Sequence, residues 1–283
     1  MTRLFGVIGC PISHSLSPAM HAAAFRALKC DALYTAVDVP PASLKPMLRA
    51  LILSGVEGLN VTVPLKEPVV RLMDRLDASA RVTGAINTVV IRNRRTTGFN
   101  TDGAGFLRAL HELGWRPRAG ACAVVLGAGG SARAVAWALA GSGMGCVAIA
   151  NRHPARAKRL AASMAAHHPR ACVCVVPLRG LDVSEADLVV NATTVGMRAS
   201  DAPLINTKHL RRGTVVYDLV YHRPTALVRE ARRRGCVAAN GLSMLLYQGA
   251  ESFRLWTGRV APVKTMRHAL LRAMRNSEFG VRN

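Results

Sequence analysis

The chain has 283 residues, half of them hydrophobic, which suffices for two domains of roughly 100 to 170 residues with buried cores. Lysine and arginine number 38 against 16 aspartates and glutamates, so the formal net charge of +22 favours anionic ligands. Aromatic residues make up only 5% and do not alternate with the basic residues, as a surface that stacks single-stranded nucleic acid would require. We therefore expect no specific nucleic-acid partner.

The cysteines and the N-terminus indicate the compartment. Seven cysteines, an odd number without a C-x-x-C spacing, predict neither a disulfide framework nor a metal site. The first residues lack the apolar segment and cleavage site of a secretion signal. No stretch approaches the roughly 18 uninterrupted apolar residues of a membrane span. The sequence thus predicts a soluble, cytoplasmic protein.

The residues before 103 alternate between strand and helix patterns. An apolar run over 4–8 predicts a strand, and Ser17 followed by Pro18 predicts a helix to Leu28 with Ser17 as its N-cap. Further strands are predicted over 34–39, 58–63 and 86–92, and further helices over 43–54 and 67–74. This alternation predicts an open, mainly parallel α/β sheet.

From residue 121 the alternation restarts and becomes more regular. The predicted strands cover 121–126, 146–150, 173–176, 188–191 and 215–219, and the predicted helices cover 131–140 and 154–166. The tail after Gly241 carries helical patterns over 242–256 and 263–275 and must bury its apolar face. We expect the tail to fold back onto the first part, which gives one domain of residues 1–102 and 242–283 and another of residues 103–241.

A glycine-rich segment lies at the start of the second domain. The sequence Gly127-Ala-Gly-Gly-Ser-Ala132 follows a predicted strand and precedes a predicted helix, which is the context of the dinucleotide-binding pattern G-x-G-x-x-A. Glycine permits the tight turn and the close approach of a pyrophosphate, whose charge the helix N-terminus stabilises. We predict a Rossmann-like domain that contacts its cofactor through Gly127, Ala128, Gly129, Gly130, Ser131 and Ala132.

The second strand of this domain indicates which cofactor is bound. It ends at Ala150 and leads into Asn151 and Arg152, where NAD-binding units usually carry an acidic residue for the ribose 2'-hydroxyl. Arg152 and Arg156, with Lys158 nearby, instead offer cations for a 2'-phosphate. We therefore predict NADP, although the same arginines could simply lie on a surface helix.

Two short polar segments carry the candidate chemistry. Lys66 ends the segment Asn60-Val-Thr-Val-Pro-Leu-Lys, and Asp102 ends the segment Gly98-Phe-Asn-Thr-Asp. A lysine and an aspartate can move a proton to or from a hydroxyl while a dinucleotide moves a hydride. The pattern predicts a dehydrogenase with Lys66 and Asp102 as catalytic residues, and a surface ion pair is the simpler alternative.

The order and spacing of these motifs closely resemble the bacterial shikimate dehydrogenase family along nearly the whole chain. The resemblance implies an N-terminal substrate domain completed by C-terminal helices, with a Rossmann-like NADP domain between. It further implies NADP-dependent, reversible reduction of 3-dehydroshikimate to shikimate in the biosynthesis of chorismate and aromatic amino acids. The motifs that carry it begin at Ser15, Asn60, Gly84, Asn100, Gly127, Asn151, Asn191, Tyr217 and Asn240.

The same resemblance implies a role for each site residue. Lys66 would be the acid/base residue, and Asp102 would pair with it beside the substrate hydroxyls. The substrate would be held by Ser15 and Ser17 at its carboxylate, Thr62 and Asn87 at its hydroxyls, and Tyr221 and Gln248 elsewhere. The cofactor would also be contacted by Leu219 and Gly241.

Two alternatives remain open at this point. The first is a quinate/shikimate dehydrogenase, or a paralogue acting on a related ring acid; Ser17 leaves little room for the extra hydroxyl of quinate in this family and favours shikimate. The second is a non-catalytic, polyanion-binding protein that has kept a Rossmann domain, and it would need neither Lys66 nor Asp102. We expect a small-molecule substrate and a monomer or homodimer.

Overall fold

The structure is a computed structural model that describes residues 1–279. The chain divides into two compact units. Unit 1 comprises Met1–Gly105 together with the described residues from Leu245 onward, and unit 2 comprises Phe106–Met244. Each unit contains one six-stranded sheet with its own buried core.

Strands and helices alternate along most of the chain. The strands are β1 (Arg3–Gly9), β2 (Ala32–Asp38), β3 (Val56–Val61), β4 (Arg75–Leu76), β5 (Thr88–Arg92), β6 (Arg95–Phe99), β7 (Cys122–Leu126), β8 (Cys146–Ala150), β9 (Cys172–Val176), β10 (Leu188–Asn191), β11 (Val215–Asp218) and β12 (Val237–Asn240). The helices are α1 (Ser17–Ala27), α2 (Leu44–Leu53), α3 (Ala78–Thr83), α4 (Asp102–Glu112), α5 (Gly130–Gly141), α6 (Pro154–His167), α7 (Ala226–Arg233), α8 (Leu242–Thr257) and α9 (Val263–Phe279).

The sheet of unit 1 is mixed, with the strand order β2-β1-β3-β5-β6-β4. β1 pairs in parallel with β2 and β3, whereas β5 runs antiparallel to both β3 and β6. Five of the six strands run in the same direction and β5 alone is reversed, so the expectation of a mainly parallel sheet is confirmed apart from β5. β5 is reversed because it forms a hairpin with β6, and two consecutive strands joined by a two-residue turn must run antiparallel.

Two local predictions in unit 1 are corrected. Ser17 is the first residue of α1 rather than its N-cap; Leu16 is the N-cap and makes no side-chain cap bond, and the N–H of Ser17 donates to the Oγ of Ser15 at 3.3 Å. The helix predicted over 67–74 is a 3-10 turn over Pro68–Leu72. It stops there because Met73 is extended and leads into β4, which pairs with β6.

The C-terminal helices complete the core of unit 1, as the sequence led us to expect. Trp256 of α8 is buried against β3, where Gly58 leaves room for its ring, since a Cβ on Gly58 would clash with the indole Nε1. The same Nε1–H donates to the carbonyl of Val89 at 3.0 Å. A buried aromatic ring with its N–H paired contributes strongly to such a core.

A buried histidine makes the stability of unit 1 depend on pH. His21 stacks on Tyr34 with ring centroids 4.5 Å apart, and burial lowers the pKa of its imidazole to about 3. The unfolded chain takes up this proton below pH 6.5, whereas the native state stays neutral down to about pH 3. The contribution of neutral His21 to the free energy of unfolding is therefore complete above pH 6.5. It is lost as the pH falls from 6.5 towards about 3.

We expect His21→Leu to flatten this dependence. Between pH 6 and pH 4 the wild-type free energy of unfolding should fall about 1.4 kcal/mol per pH unit more steeply than that of the variant. Urea unfolding at a series of pH values measures how the free energy of unfolding of each protein changes with pH. The comparison uses only these two slopes, so it holds even if the variant is more or less stable overall. Parallel curves for the two proteins would contradict the expectation.

Unit 2 is a doubly wound, fully parallel sheet with the strand order β12-β11-β10-β7-β8-β9. The chain starts at the centre with β7, builds outward through β8 and β9, and then returns to the other side of β7 through β10. This is the Rossmann-like order, in which ligands bind beyond the carboxyl ends of the two central strands where the winding reverses. Those ends lead into Gly127 and Ala192.

Within residues 1–279, no helix combines the length and the apolar character that crossing a membrane requires. In the same part of the chain, no group of three or more histidine, cysteine, aspartate or glutamate side chains is arranged to hold a metal ion.

Candidate functional site

The central feature of unit 1 is a largely buried ion pair between Lys66 and Asp102. Lys66 lies in the turn that follows β3, held by the backbone bond from Ile86 N–H to the Lys66 carbonyl at 2.8 Å. Asp102 is the first residue of α4, where the helix dipole stabilises negative charge. The Lys66 Nζ lies 2.5 Å from Asp102 Oδ2, and the two side chains are only 12% and 4% exposed. An ammonium is therefore fixed at one place and shielded from most of the solvent.

The amide of Asn87 holds the other oxygen of this aspartate, and the amide of Gln248 is bonded to Asn87 in turn. The Oδ1 of Asn87 accepts the backbone N–H of Thr101 at 2.8 Å, which fixes the orientation of the Asn87 amide. Its Nδ2 then donates to Asp102 Oδ1 at 2.7 Å and to the Oε1 of Gln248 at 3.1 Å. Gln248 is oriented in turn by its Nε2, which donates to the carbonyl of Leu245 at 2.8 Å. The structure thus brings together four of the residues singled out in the sequence.

Behind these residues lies a buried cluster that the sequence analysis missed. Its members are the side chains of Asn60, Thr88, Thr101 and Ser252, each at most 5% exposed. Thr88 and Ser252 are joined by a 2.7 Å contact between their hydroxyls, and Asn60 Nδ2 donates to Ser252 Oγ at 3.0 Å. One sequence signal existed: Ser252 follows Gln248 by one helical turn, so both lie on the same face of α8.

The other substrate residues predicted in unit 1 follow the strands β1 and β3, in a loop or at the start of a helix. Ser15 and Ser17 are hydrogen-bonded to each other at the start of α1, and Ser17 is buried. Thr62 follows β3, and its N–H donates to the carbonyl of Ile8 at 2.9 Å. A Cβ on Gly9 would clash with the methyl group of Thr62, so glycine is required there. Tyr221 belongs to unit 2.

The glycine-rich loop of unit 2 has the geometry that dinucleotide binding requires. Gly127 has φ +115, and a Cβ there would lie 3.0 Å from the carbonyl of Ala192, so only glycine fits. Ala128 and Ala132 are buried, and Ala132 lets α5 pack closely on the sheet. Gly129 caps α5, and a Cβ on it would meet no described atom within 4 Å.

This arrangement fits a pyrophosphate. The first turn of α5, Gly130, Ser131 and Ala132, presents backbone N–H groups that have no acceptor within the helix. Anions are stabilised at such a helix start, and the space beside Gly129 lets a phosphate approach the backbone. The loop could therefore hold a dinucleotide cofactor through its backbone.

The loop after β8 carries cations and no carboxylate. Arg152, His153 and Arg156 are exposed, and Pro154 begins α6. Asn151 does not reach outward, because its Nδ2 donates to the carbonyl of His153 at 2.9 Å and shapes the turn. A 2'-phosphate would meet two guanidinium groups here, whereas a bare ribose would find no carboxylate acceptor.

Three further predicted residues follow β11 and β12. A Cβ on Gly241 would clash with the carbonyl oxygen of Leu219, so the backbones are in direct contact and glycine is required. Tyr221 is two residues further along, and its carbonyl accepts the Nδ2 of Asn240 at 3.5 Å. Leu219, Tyr221 and Gly241 thus lie at the carboxyl ends of β11 and β12.

A buried aspartate shapes this loop and was not predicted. Asp218 accepts the Nδ2 of Asn191 at 2.9 Å, the N–H of Val220 at 3.1 Å and the Oγ1 of Thr225 at 2.7 Å. Burial raises the pKa of its carboxyl, and the three donors oppose that rise. Asp218 therefore connects the loops after β10 and β11 with the start of α7.

Family models match most of the chain in three consecutive segments. The model of the "Shikimate dehydrogenase substrate binding domain" matches residues 7–89. The model of "Shikimate / quinate 5-dehydrogenase" matches residues 114–219. The model of the "Shikimate 5'-dehydrogenase C-terminal domain" matches residues 241–271.

Individual relatives agree with these matches. The NADP(+) shikimate dehydrogenase of Moorella thermoacetica is 48% identical over 99% of this chain and 96% of its own length. The structure of shikimate 5-dehydrogenase from Thermus thermophilus, in complex with NADP(H) and shikimate, is 40% identical with a TM-score of 0.86, covering 96% of this chain and 100% of that one. A quinate dehydrogenase from Corynebacterium glutamicum in complex with NAD is 36% identical with a TM-score of 0.88, covering 96% and 99%. The chain belongs to the shikimate dehydrogenase family.

Proposed function

We propose that this protein catalyses the reversible, NADP-dependent reduction of 3-dehydroshikimate to shikimate, a step towards chorismate and the aromatic amino acids. The observation that carries the proposal is the buried pair of Lys66 and Asp102, oriented by Asn87 and Gln248. Family membership and the Rossmann-like unit support the cofactor and the reaction class. A non-catalytic binding protein would have no use for a shielded ammonium of this kind.

Proton transfer is the task of Lys66. When bound, NADPH supplies the hydride that reduces the carbonyl carbon of the substrate. As the carbonyl oxygen gains negative charge, the Lys66 ammonium stabilises that charge and donates a proton, forming the hydroxyl. Asp102 holds Nζ in place through its 2.5 Å contact. In the direction of oxidation, Lys66 in its neutral form accepts the hydroxyl proton.

Unit 1, predicted from the sequence as residues 1–102 and 242–283, is proposed to bind the substrate. Ser15 and Ser17 lie at the start of α1, where hydroxyls and backbone N–H groups suit a carboxylate. We assign Thr62 to the ring hydroxyls, and we assign Gln248 and Tyr221 to other parts of the substrate. Asn87 has its amide bonded within the protein, so we assign it chiefly to holding Asp102.

Unit 2, predicted as residues 103–241, is proposed to bind NADP. Its pyrophosphate would lie on the backbone of the loop from Gly127 to Ala132. Leu219 and Gly241 would contact the cofactor through their backbone or apolar surface, and Arg152 and Arg156 would bind the 2'-phosphate. Asn151 would support this site by shaping the turn that carries Arg152.

Arg152→Ala should weaken binding of NADP but not of NAD. Removing one of two guanidinium groups from a phosphate site is expected to raise the Kd for NADP by about 10-fold or more, since a charged hydrogen bond contributes about 1.5–3 kcal/mol. Titration of intrinsic fluorescence with each cofactor measures the change. An equal loss for both cofactors would rule out the phosphate role, and Arg159→Ala on the exposed side of α6 serves as the control.

The function itself is tested by crossing two substrates with two cofactors. Initial rates of cofactor reduction are measured with shikimate or quinate and with NADP or NAD. We expect rapid turnover only with shikimate and NADP. Because a quinate dehydrogenase is among the similar structures, turnover of quinate would favour the alternative of a quinate/shikimate dehydrogenase or a paralogue for a related ring acid. Absence of turnover with every pair would refute the proposal.

We propose a monomer or homodimer, testable by light scattering, and a cytoplasmic enzyme, supported by seven cysteines that form no disulfide among the described residues. We also propose that the net charge of +22 attracts the anionic substrate and cofactor rather than serving nucleic-acid recognition. Sequence-specific retention on DNA at moderate salt would contradict the last point.

A further inference from the structure

Ser252 lies at the centre of the polar cluster behind the ion pair. Its side chain is fully buried on α8, and its Oγ is within 3.0 Å of the Gln248 carbonyl and of Asn60 Nδ2. The hydroxyl of Thr88 is 2.7 Å away, and that of Thr101 is 3.4 Å away. A single small side chain thus connects α8 with β3, with β5 and with the residue before α4.

Both threonines contact the same amide. Thr88 Oγ1 donates to Asn87 Oδ1 at 3.0 Å, and Thr101 Oγ1 lies 3.2 Å from the same oxygen and 2.9 Å from Asn87 Nδ2. In addition, Thr101 Oγ1 bonds to the Gln248 carbonyl at 3.0 Å. Ser252 therefore reaches Asn87 by two routes, one through each threonine hydroxyl.

Asn87 contacts the carboxylate of Asp102 directly. Its Nδ2 is the donor to Asp102 Oδ1 at 2.7 Å, while Lys66 occupies Oδ2 at 2.5 Å. The carboxylate is held from both sides, and rotation about its last torsion, which is soft in isolation, is removed. A displacement of Asn87 would consequently turn the carboxylate and move the ammonium bound to it.

We propose that Ser252 is a positioning residue for the Lys66–Asp102 pair, acting through the hydroxyls of Thr88 and Thr101 on Asn87. The proposal rests on the function proposed above. Ser252→Ala removes the acceptor at 3.0 Å from Asn60 Nδ2 and the hydroxyl partner of Thr88, and it leaves buried polar groups next to Asn87 with fewer partners. A misplacement of about 1 Å in such a site can lower the rate about 10²-fold.

The test compares kcat for Ser252→Ala in two backgrounds. In the otherwise wild-type enzyme, we expect kcat to fall about 10-fold, with the Kd for NADP unchanged and the KM for shikimate changed less than about 3-fold. In the Asn87→Ala background, where the proposed route is already broken, the same substitution should change kcat less than about 2-fold. Ser252→Thr, which keeps the hydroxyl, should restore much of the loss.

Thr96→Val is the matched control. Thr96 is a buried hydroxyl residue of the same unit, and its Oγ1 bonds to Asp74 rather than to the cluster. We expect it to lower stability while leaving kcat unchanged. An effect of Ser252→Ala that is equal in both backgrounds, or a kcat within about 2-fold of wild type, overturns the proposal.

The outcome also separates this role from the proposed function. A wild-type enzyme that is active with shikimate and NADP, combined with an unaffected Ser252→Ala variant, overturns the role of Ser252 alone. A wild-type enzyme without that activity overturns the proposed function and this role with it.

Discussion

Lys66→Ala should lower kcat by about 10² to 10⁴, the range expected when an acid/base group is removed. The carbonyl oxygen would then develop negative charge without the ammonium that stabilises it, and water would have to supply the proton. Steady-state turnover of shikimate with NADP measures the change. Binding of NADP should persist, because its predicted contacts lie in unit 2.

Two controls accompany this variant. Lys45→Ala replaces an exposed lysine at the start of α2 in the same unit and should leave kcat unchanged. Unfolding of Lys66→Ala must be measured in parallel, because removing one partner of a buried ion pair typically costs about 3–5 kcal/mol. A folded Lys66→Ala enzyme with near wild-type turnover would show that Lys66 is not the proton donor.

Asp102→Asn should lower kcat by about 10² or more while keeping the size of the side chain. Asp102 now accepts from Asn87 on one oxygen and from Lys66 on the other. An asparagine has only one acceptor oxygen, so its own NH₂ group must face one of these two donors. The result is a repulsive contact and an ammonium without its counter-charge. Steady-state kcat and the KM for shikimate measure the effect.

Asp74→Asn is a control for a structural aspartate in unit 1. Asp74 accepts the N–H and the hydroxyl of Thr96 at 2.8 and 2.9 Å, and these bonds, with Arg95, lower the pKa of its carboxyl to about 2. Its substitution should reduce stability and leave kcat intact. If Asp102→Asn behaved like Asp74→Asn, Asp102 would be structural rather than part of the chemistry.

The sequence predicted the Rossmann-like unit more accurately than the mixed sheet. Unit 2 repeats strand, loop and helix with regular spacing, so local patterns suffice. The β5–β6 hairpin was missed because its turn is Asn93-Arg94, with φ 51 and 59, rather than the usual Asn-Gly. The turn at Pro68–Leu72 was predicted as a helix because its limit is set by pairing of β4 with β6, which a local pattern does not contain.

Motifs identified candidate chemistry in the sequence, but not the contacts that orient it. Lys66 and Asp102 were predicted as a pair, and the structure places them 2.5 Å apart; their catalytic roles remain predictions. The bonds from Asn87 to Gln248 and from Thr88 to Ser252 join residues separated by 161 and 164 positions. Such contacts depend on how α8 packs against the sheet of unit 1, and no spacing within one element reveals them.

The most direct test of the central claim is a single-turnover measurement of hydride transfer. Enzyme in excess over NADPH is mixed rapidly with saturating 3-dehydroshikimate, and the loss of NADPH absorbance is followed for the wild type and for Lys66→Ala. We predict full amplitude in both proteins and a rate constant lower by about 10² to 10⁴ in the variant. Equal rate constants would contradict the assignment of proton transfer to Lys66.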